Sequence, residues 1–310
     1  MRKFIGYETL INNFKDRCMN NTLSHAHLIA GEDGIGKSNL ANILAKLILN
    51  GELDREYVDI INYSSSKASF GVDDVRNIIE EVSKKPFEGE KKVIIIHEGN
   101  KLTIQAQNAL LKTIEEPPIG VHIIILCESL ELILDTIKSR CEIYKLTPLT
   151  KEELYEYIRI KKFDFNENDI KSAIAFSEGI PGRVDRYFND NNLKELRSKI
   201  IELIRDLNKN NVEIILQHEE NFIGLKDNKE EVLNILGGFI RDILIHKEVE
   251  NKNFIINGDK IDDINELTKE MSFRKLNNMI MTIEEARRNI KSNVSWAMTL
   301  RVMLMGFMEG

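Results

Sequence analysis

Residues 31–38 read Gly31-Glu32-Asp33-Gly34-Ile35-Gly36-Lys37-Ser38, the pattern G-x-x-x-x-G-K-S in full. The apolar run HLIA (27–30) before it reads as a buried strand. SNLANILAKLILN (38–50) after it reads as a helix. A strand that turns through a glycine-rich loop into a helix is the context this motif needs. Glycines at 31, 34 and 36 let backbone N–H groups turn inward around phosphate oxygens, and the helix N-terminus adds its partial positive charge. Lys37 is placed to reach the β- and γ-phosphates, and Ser38 to ligate Mg²⁺.

The pattern continues on the C-terminal side as strand–helix alternation. YVDIINYSS (57–65), KKVIIIHEG (91–99) and VHIIILCES (121–129) read as strands. DDVRNIIEEVSKK (73–85) and TIQAQNALLKTIEE (103–116) read as helices, the second stopped by Pro117 and Pro118. A short helix then leads to SRCEIYKL (139–146). Near-continuous apolar strands between amphipathic helices predict a parallel sheet covered on both faces. All five prolines lie in the first 181 residues. The proline-free remainder has helical periodicity throughout and predicts an all-α region. The expected architecture is thus an α/β phosphate-loop domain over 1–147, a small helical lid over 148–190 and an all-α domain over 191–310.

A phosphate loop that hydrolyses its nucleotide uses a second strand ending in an Asp, which orders Mg²⁺, and often a Glu after it. Here Val93-Ile94-Ile95-Ile96 ends in His97-Glu98. Glu98 is present as a candidate catalytic acid, and a helix-capping or surface role fits it equally well. The Asp position holds His97, and a neutral imidazole is a poor partner for a cation that prefers oxygen. The expectation is slow hydrolysis or none.

Composition narrows the rest. The chain has 310 residues, 42% of them apolar and 30% charged, ordinary for a globular protein of two or three domains. No run of about eighteen apolar residues occurs, so no membrane span is expected. The N-terminal stretch MRKFIGYETLINNF lacks the apolar core of a signal peptide, and a cytoplasmic location is expected. Cys18, Cys127 and Cys141 are scattered and odd in number, which argues against a disulfide framework or a four-cysteine zinc site. His25 and His27 read as packing or hydrogen-bonding residues, with no third ligand beside them. A net charge of −7 speaks against broad solitary binding to DNA and leaves lighter contact open.

Three blocks resemble bacterial clamp-loader subunits of the AAA+ family: SHAHLIAGEDGIGKS (24–38), FEGEKKVIIIHEGNKLTIQAQNALLKTIEEPP (87–118) and Thr136-Ile137-Lys138-Ser139-Arg140-Cys141. The resemblance covers residues 1 to about 190. Beyond that it extends only to length and helical character. It has two branches to choose between. The motor branch, gamma and tau, usually carries a zinc-binding cysteine cluster, an Asp-Glu pair and a lid arginine. This chain has no such cluster, has His97 for the Asp, and reads Gly179-Ile180-Pro181-Gly182-Arg183 in the lid, with Gly182 where the arginine would fall. It also ends without a tau-like extension. The resemblance is therefore to the delta-prime, or stator, branch.

That resemblance implies a helical collar over 191–310 and a part in a hetero-oligomer with gamma/tau and delta subunits, reaching the sliding clamp and primed DNA through the complex. It implies that Arg140 acts in trans, as an arginine finger on the ATP of a neighbouring subunit, with Ser139 and Cys141 fixing the turn. It leaves ATP with Mg²⁺ at Gly31, Gly34, Gly36, Lys37 and Ser38 as an open, structural possibility, and no zinc is expected. Cys127, near the sensor position, reads as a buried strand end. The Met-rich tail near Trp296 (Met298, Met303, Met305, Met308) divides between core and interface in a way the sequence leaves open. Two rivals stay in view: an autonomous phosphate-loop motor acting on DNA, and a non-enzymatic assembly adaptor.

Overall fold

A computed structural model describes residues 4–64, 69–161, 165–207, 212–249 and 254–308. Among the described residues five short strands pair: β1 Ala26–Ala30, β2 Ile60–Tyr63, β3 Lys92–Ile96, β4 Val121–Cys127 and β5 Glu142–Lys145. They run parallel in the order β2-β3-β4-β1-β5. The parallel sheet expected from the apolar runs is present, and its three central strands are the most apolar. β2 is shorter than the stretch 57–65, of which residue 65 lies outside the described residues. Asp59, just before β2, is buried and accepts the N–H groups of Phe87 and Glu88 at 2.6 and 2.8 Å.

Helices α1 Glu8–Met19, α2 Lys37–Ile48, α3 Val72–Val82, α4 Ile104–Glu115 and α5 Asp135–Lys138 cover the sheet. Strand side chains alternate between faces. Ala26, Leu28 and Ala30 of β1, Ile94 and Ile96 of β3, and Ile123 and Ile125 of β4 pack with Val75 and Ile78 of α3 and Leu110 and Ile114 of α4. The opposite face carries Ile29, Val93, Ile95 and Ile124, all buried, with Leu40, Leu44 and Ile48 of α2. Thr103 caps α4 by accepting the Ala106 N–H at 3.2 Å.

The chain divides into two compact units, Met1–Lys162 with Gly179–Gly182, and Phe163–Glu178 with Arg183–Gly310. The first holds the sheet and α6 Lys151–Lys161. The second is helical among its described residues: α7 Glu167–Ser177, α8 Pro181–Asn189 (entered from the first unit), α9 Asn191–Leu207, α10 Val212–Ile223, α11 Lys229–Val249, α12 Ile261–Glu270, α13 Phe273–Lys291 and α14 Trp296–Gly306. Its core joins Leu233, Leu236 and Ile240 of α11 to Leu276, Met279 and Ile283 of α13 and Leu300 and Leu304 of α14. Within it Arg197 is buried, forked onto Asp259 at 2.8 and 2.9 Å, and stacked on the Tyr187 ring. Among the described residues no helix is long and apolar enough to cross a membrane.

Candidate functional site

In a parallel sheet the loops after the strands gather at one end, and ligands bind there. The loop after β1 is residues 31–36. Gly34 and Gly36 have φ of +79° and +109°, a left-handed conformation that glycine adopts at little cost, and α2 begins at Lys37. Within the loop the Gly31 N–H donates to the Cys127 carbonyl at 3.1 Å and the Ile35 N–H to the Glu32 carbonyl at 3.3 Å, and the N-terminus of α2 stands behind it. Lys37 Nζ donates to the carbonyls of Gly31 and Glu32 at 2.7 and 2.9 Å. Burial lowers the pKa of its ammonium, opposed by the charge of Asp33. The five residues named from the sequence for a phosphate site lie in this loop and the first turn of α2.

The neighbouring strand end differs from a metal site. Ser38 Oγ lies 3.3 Å from Nδ1 of His97, and Nε2 of His97 lies 2.9 Å from Oδ1 of Asn62 on β2. Asn62 Oδ1 accepts, so Nε2 carries the proton and Nδ1 is left to accept from the Ser38 hydroxyl. Burial lowers the His97 pKa and keeps the ring neutral. Glu98 has φ of +53°, and its carboxylate accepts from Lys101 Nζ at 2.6 Å. The one acid at this strand end is thus engaged in an ion pair. No group of three metal-binding side chains occurs among the described residues.

Gly182 is the second residue of α8, and its backbone meets the loop directly. Its N–H donates to the Gly34 carbonyl at 2.9 Å. A Cβ on Gly182 would stand 2.8 Å from Gly34 Cα and 2.9 Å from its oxygen, too close for any side chain. Glycine at 182 is therefore more than a missing arginine: it is required for the backbone at 182 to approach Gly34 this closely. Arg183 instead pairs with Glu178 at 2.6 Å.

Arg140 stands at the other end of the sheet. It lies in the turn before β5, whose first residue, Glu142, is in register with His27 of β1. The phosphate loop begins four positions further along β1. At about 3.3 Å per residue, Arg140 is on the order of 13 Å or more from its own chain's loop. Its Nε donates to Glu115 Oε1 at 2.5 Å, and Nη1 donates to the Thr136 carbonyl at 2.8 Å. Ser139 Oγ donates to Thr136 O at 3.1 Å. Cys141 packs against the core, and burial pushes its thiol up to about 12. Cys127, buried at the end of β4, is raised to about 11 for the same reason. Neither thiol is a nucleophile near neutral pH. His25 Nε2 bonds the Ile114 carbonyl at 2.7 Å, and His27 is fully buried.

The family profile described as "DNA polymerase III, delta subunit" matches residues 6–150, and the one described as "DNA polymerase III, delta subunit, C terminal" matches residues 192–307. The chain is 26% identical over 306 residues to DNA polymerase III subunit delta′ of Bacillus subtilis (strain 168), spanning 93% of this chain and 92% of that one. The chain belongs to the delta-prime family of DNA polymerase III subunits. It also matches the gamma subunit of Buchnera aphidicola subsp. Schizaphis graminum at 25% identity, over 75% of this chain and 65% of the relative. A solved structure of a DNA polymerase III gamma-subunit-related protein from Thermotoga maritima shares the fold, with a TM-score of 0.57 and 17% identity over 96% of this chain and 98% of that one. Homology to the delta′ and gamma subunits supports a clamp-loader role.

For a delta-prime family member, several working contacts escaped the sequence. Asn62 is 35 positions from His97, and Gly34 is 148 positions from Gly182, so no local pattern could join either pair. Glu115 was visible as part of the Glu-Glu-Pro-Pro block, but its pairing with Arg140 needs the fold. Gln107 was read only as helix. It is buried, donates to the Leu102 and Leu132 carbonyls at 3.1 and 3.0 Å, and accepts the Leu134 N–H at 2.8 Å. It thereby fixes the segment that leads to Arg140.

Proposed function

We propose that this chain is the stator of a clamp loader that opens the sliding clamp and places it on primed DNA, and that Arg140 completes the ATP site of an adjacent gamma/tau subunit. The observation that carries this reading is the position of Arg140: exposed, in the turn before β5, at the opposite end of the sheet from its own phosphate loop. An arginine there has no nucleotide of its own to serve and is open to a neighbour. A rigid guanidinium fork suits charge building on a γ-phosphate. Its present partner holds it weakly. The Arg140 and Glu115 side chains are 36% and 44% exposed, and such pairs contribute about 0–1 kcal/mol. A phosphate of the partner subunit would outcompete that carboxylate.

On this reading the chain's own loop does not turn over ATP, because His97 and the tied Glu98 supply neither metal ligand nor base. The working division is a nucleotide-fold domain over 1–147, a lid over 148–190 and a collar over 191–310 that joins gamma/tau and delta. The test is ATP turnover by the reconstituted loader with clamp and primed DNA, comparing wild type with Arg140→Ala and the isolated chain. A loss of about tenfold or more in the mutant complex, with an inactive isolated chain, is expected. Robust turnover by the isolated chain, unchanged by Arg140→Ala, would replace the stator with an autonomous motor.

A further inference from the structure

The loop and the strand end beside it are mismatched. Gly34, Gly36, Lys37 and the start of α2 retain the geometry that receives a phosphate chain. The metal half of the site is absent in kind. The Ser38 hydroxyl, which would ligate Mg²⁺, is directed at His97 Nδ1. That ring is held by Asn62, and the Glu98 carboxylate is held by Lys101. Mg²⁺ demands oxygen ligands in near-ideal octahedral geometry and favours anionic ones. The groups here offer it a neutral ring nitrogen already used as an acceptor. The donor set does not fit magnesium.

We propose that this loop binds the phosphate chain of a nucleotide without assistance from Mg²⁺, with His97 occupying the metal's place as a hydrogen-bond acceptor for Ser38. The charge of the phosphates is offset by Lys37, by the N–H groups of Gly34, Gly36, Lys37 and Ser38 and by the α2 terminus, equivalent to roughly half a unit of positive charge; the Ile35 N–H is already used on the Glu32 carbonyl. A site built this way holds nucleotide and leaves it intact. The assignment concerns the chain's own loop and is independent of what Arg140 does, so either can fail alone.

The experiment is equilibrium binding of ADP and of ATP to the full chain by calorimetry, once with Mg²⁺ and once with EDTA. Dissociation constants for the wild type should agree within about twofold between the two conditions, and Lys37→Ala should weaken both by about tenfold or more. His97→Asp restores an anionic oxygen and should bind at least about tenfold more tightly with Mg²⁺ than with EDTA. Three results would overturn the proposal: no binding of either nucleotide, tenfold or greater tightening of the wild type by Mg²⁺, or Mg²⁺-insensitive binding by His97→Asp. The wild-type comparison stands by itself should the Asp variant misfold.

Discussion

His27 carries acid sensitivity at a single residue. The ring is fully buried in the middle of the sheet face that holds Phe14 and Tyr144, with Nδ1 stopping 4.0 Å from a Glu142 oxygen. Burial first, then the neighbouring His122, lowers its pKa to about 3. The unfolded ring titrates at about 6.5. The stabilisation tied to the neutral ring is therefore complete above about pH 6.5 and is lost as pH falls from there toward 3, because the unfolded chain takes up a proton that the folded chain refuses. Each unit in that window costs about 1.4 kcal/mol. Between about pH 7.5 and 5.5 the wild-type chain should lose about 1.4 kcal/mol more than a His27→Leu chain, measured by urea titration. Equal losses would assign the acid sensitivity to another group. None of this was legible beyond the reading of His27 as a packing residue: an imidazole in an apolar run looks the same in sequence whether its nitrogens are solvated or shut away.

At the scale of elements, the strands and helices of the first unit were legible because both sheet faces are covered, so β1, β3 and β4 are apolar without interruption. β2 and β5 were harder to delimit. Each lies at an edge of the sheet and is only partly buried, so its pattern fades at the ends. The meeting of Gly182 with Gly34 of the phosphate loop was invisible, since its signal is only a glycine after a proline. That contact has a measurable consequence. Gly182→Ala puts a methyl group against the Gly34 backbone, which has no flexible end to move aside. Overpacking of this kind costs about 1–3 kcal/mol. At about 2–4 °C per kcal/mol for units of this size, the calorimetric transition of the first unit should fall by about 2–12 °C. An unchanged transition would mean that the loop and the helix start part readily. By the same geometry, Gly182→Arg meets the same backbone before its guanidinium can reach the loop.

At the scale of the whole molecule, the question left open by composition was how the Met-rich tail divides. The described structure separates it by face. Met303 lies buried with Trp296, Leu300, Leu304 and Phe307, while Met298, Val302 and Met305 are 63%, 47% and 61% exposed. Those three recur at i, i+4 and i+7, which sets them on one stripe of α14. Helical periodicity could not show this, because α14 is apolar nearly all round and only packing decides which side is covered. An apolar stripe is a poor surface to leave in water and a good one to bury against another subunit. Full burial of each such side chain contributes about 1.5–3 kcal/mol. Met298→Glu combined with Met305→Glu should therefore weaken assembly with the proposed gamma/tau and delta partners by at least about 100-fold, or 2.7 kcal/mol. Trp296, whose Nε1 donates to the Phe222 carbonyl at 2.9 Å, anchors the helix from its other side, so the isolated chain should melt as the wild type does. Sedimentation of the mixed subunits read beside calorimetry of the free chain separates the two effects. Normal assembly by the double variant would move the interface off α14, and a lowered melting temperature would show that the stripe belongs to the fold of this unit.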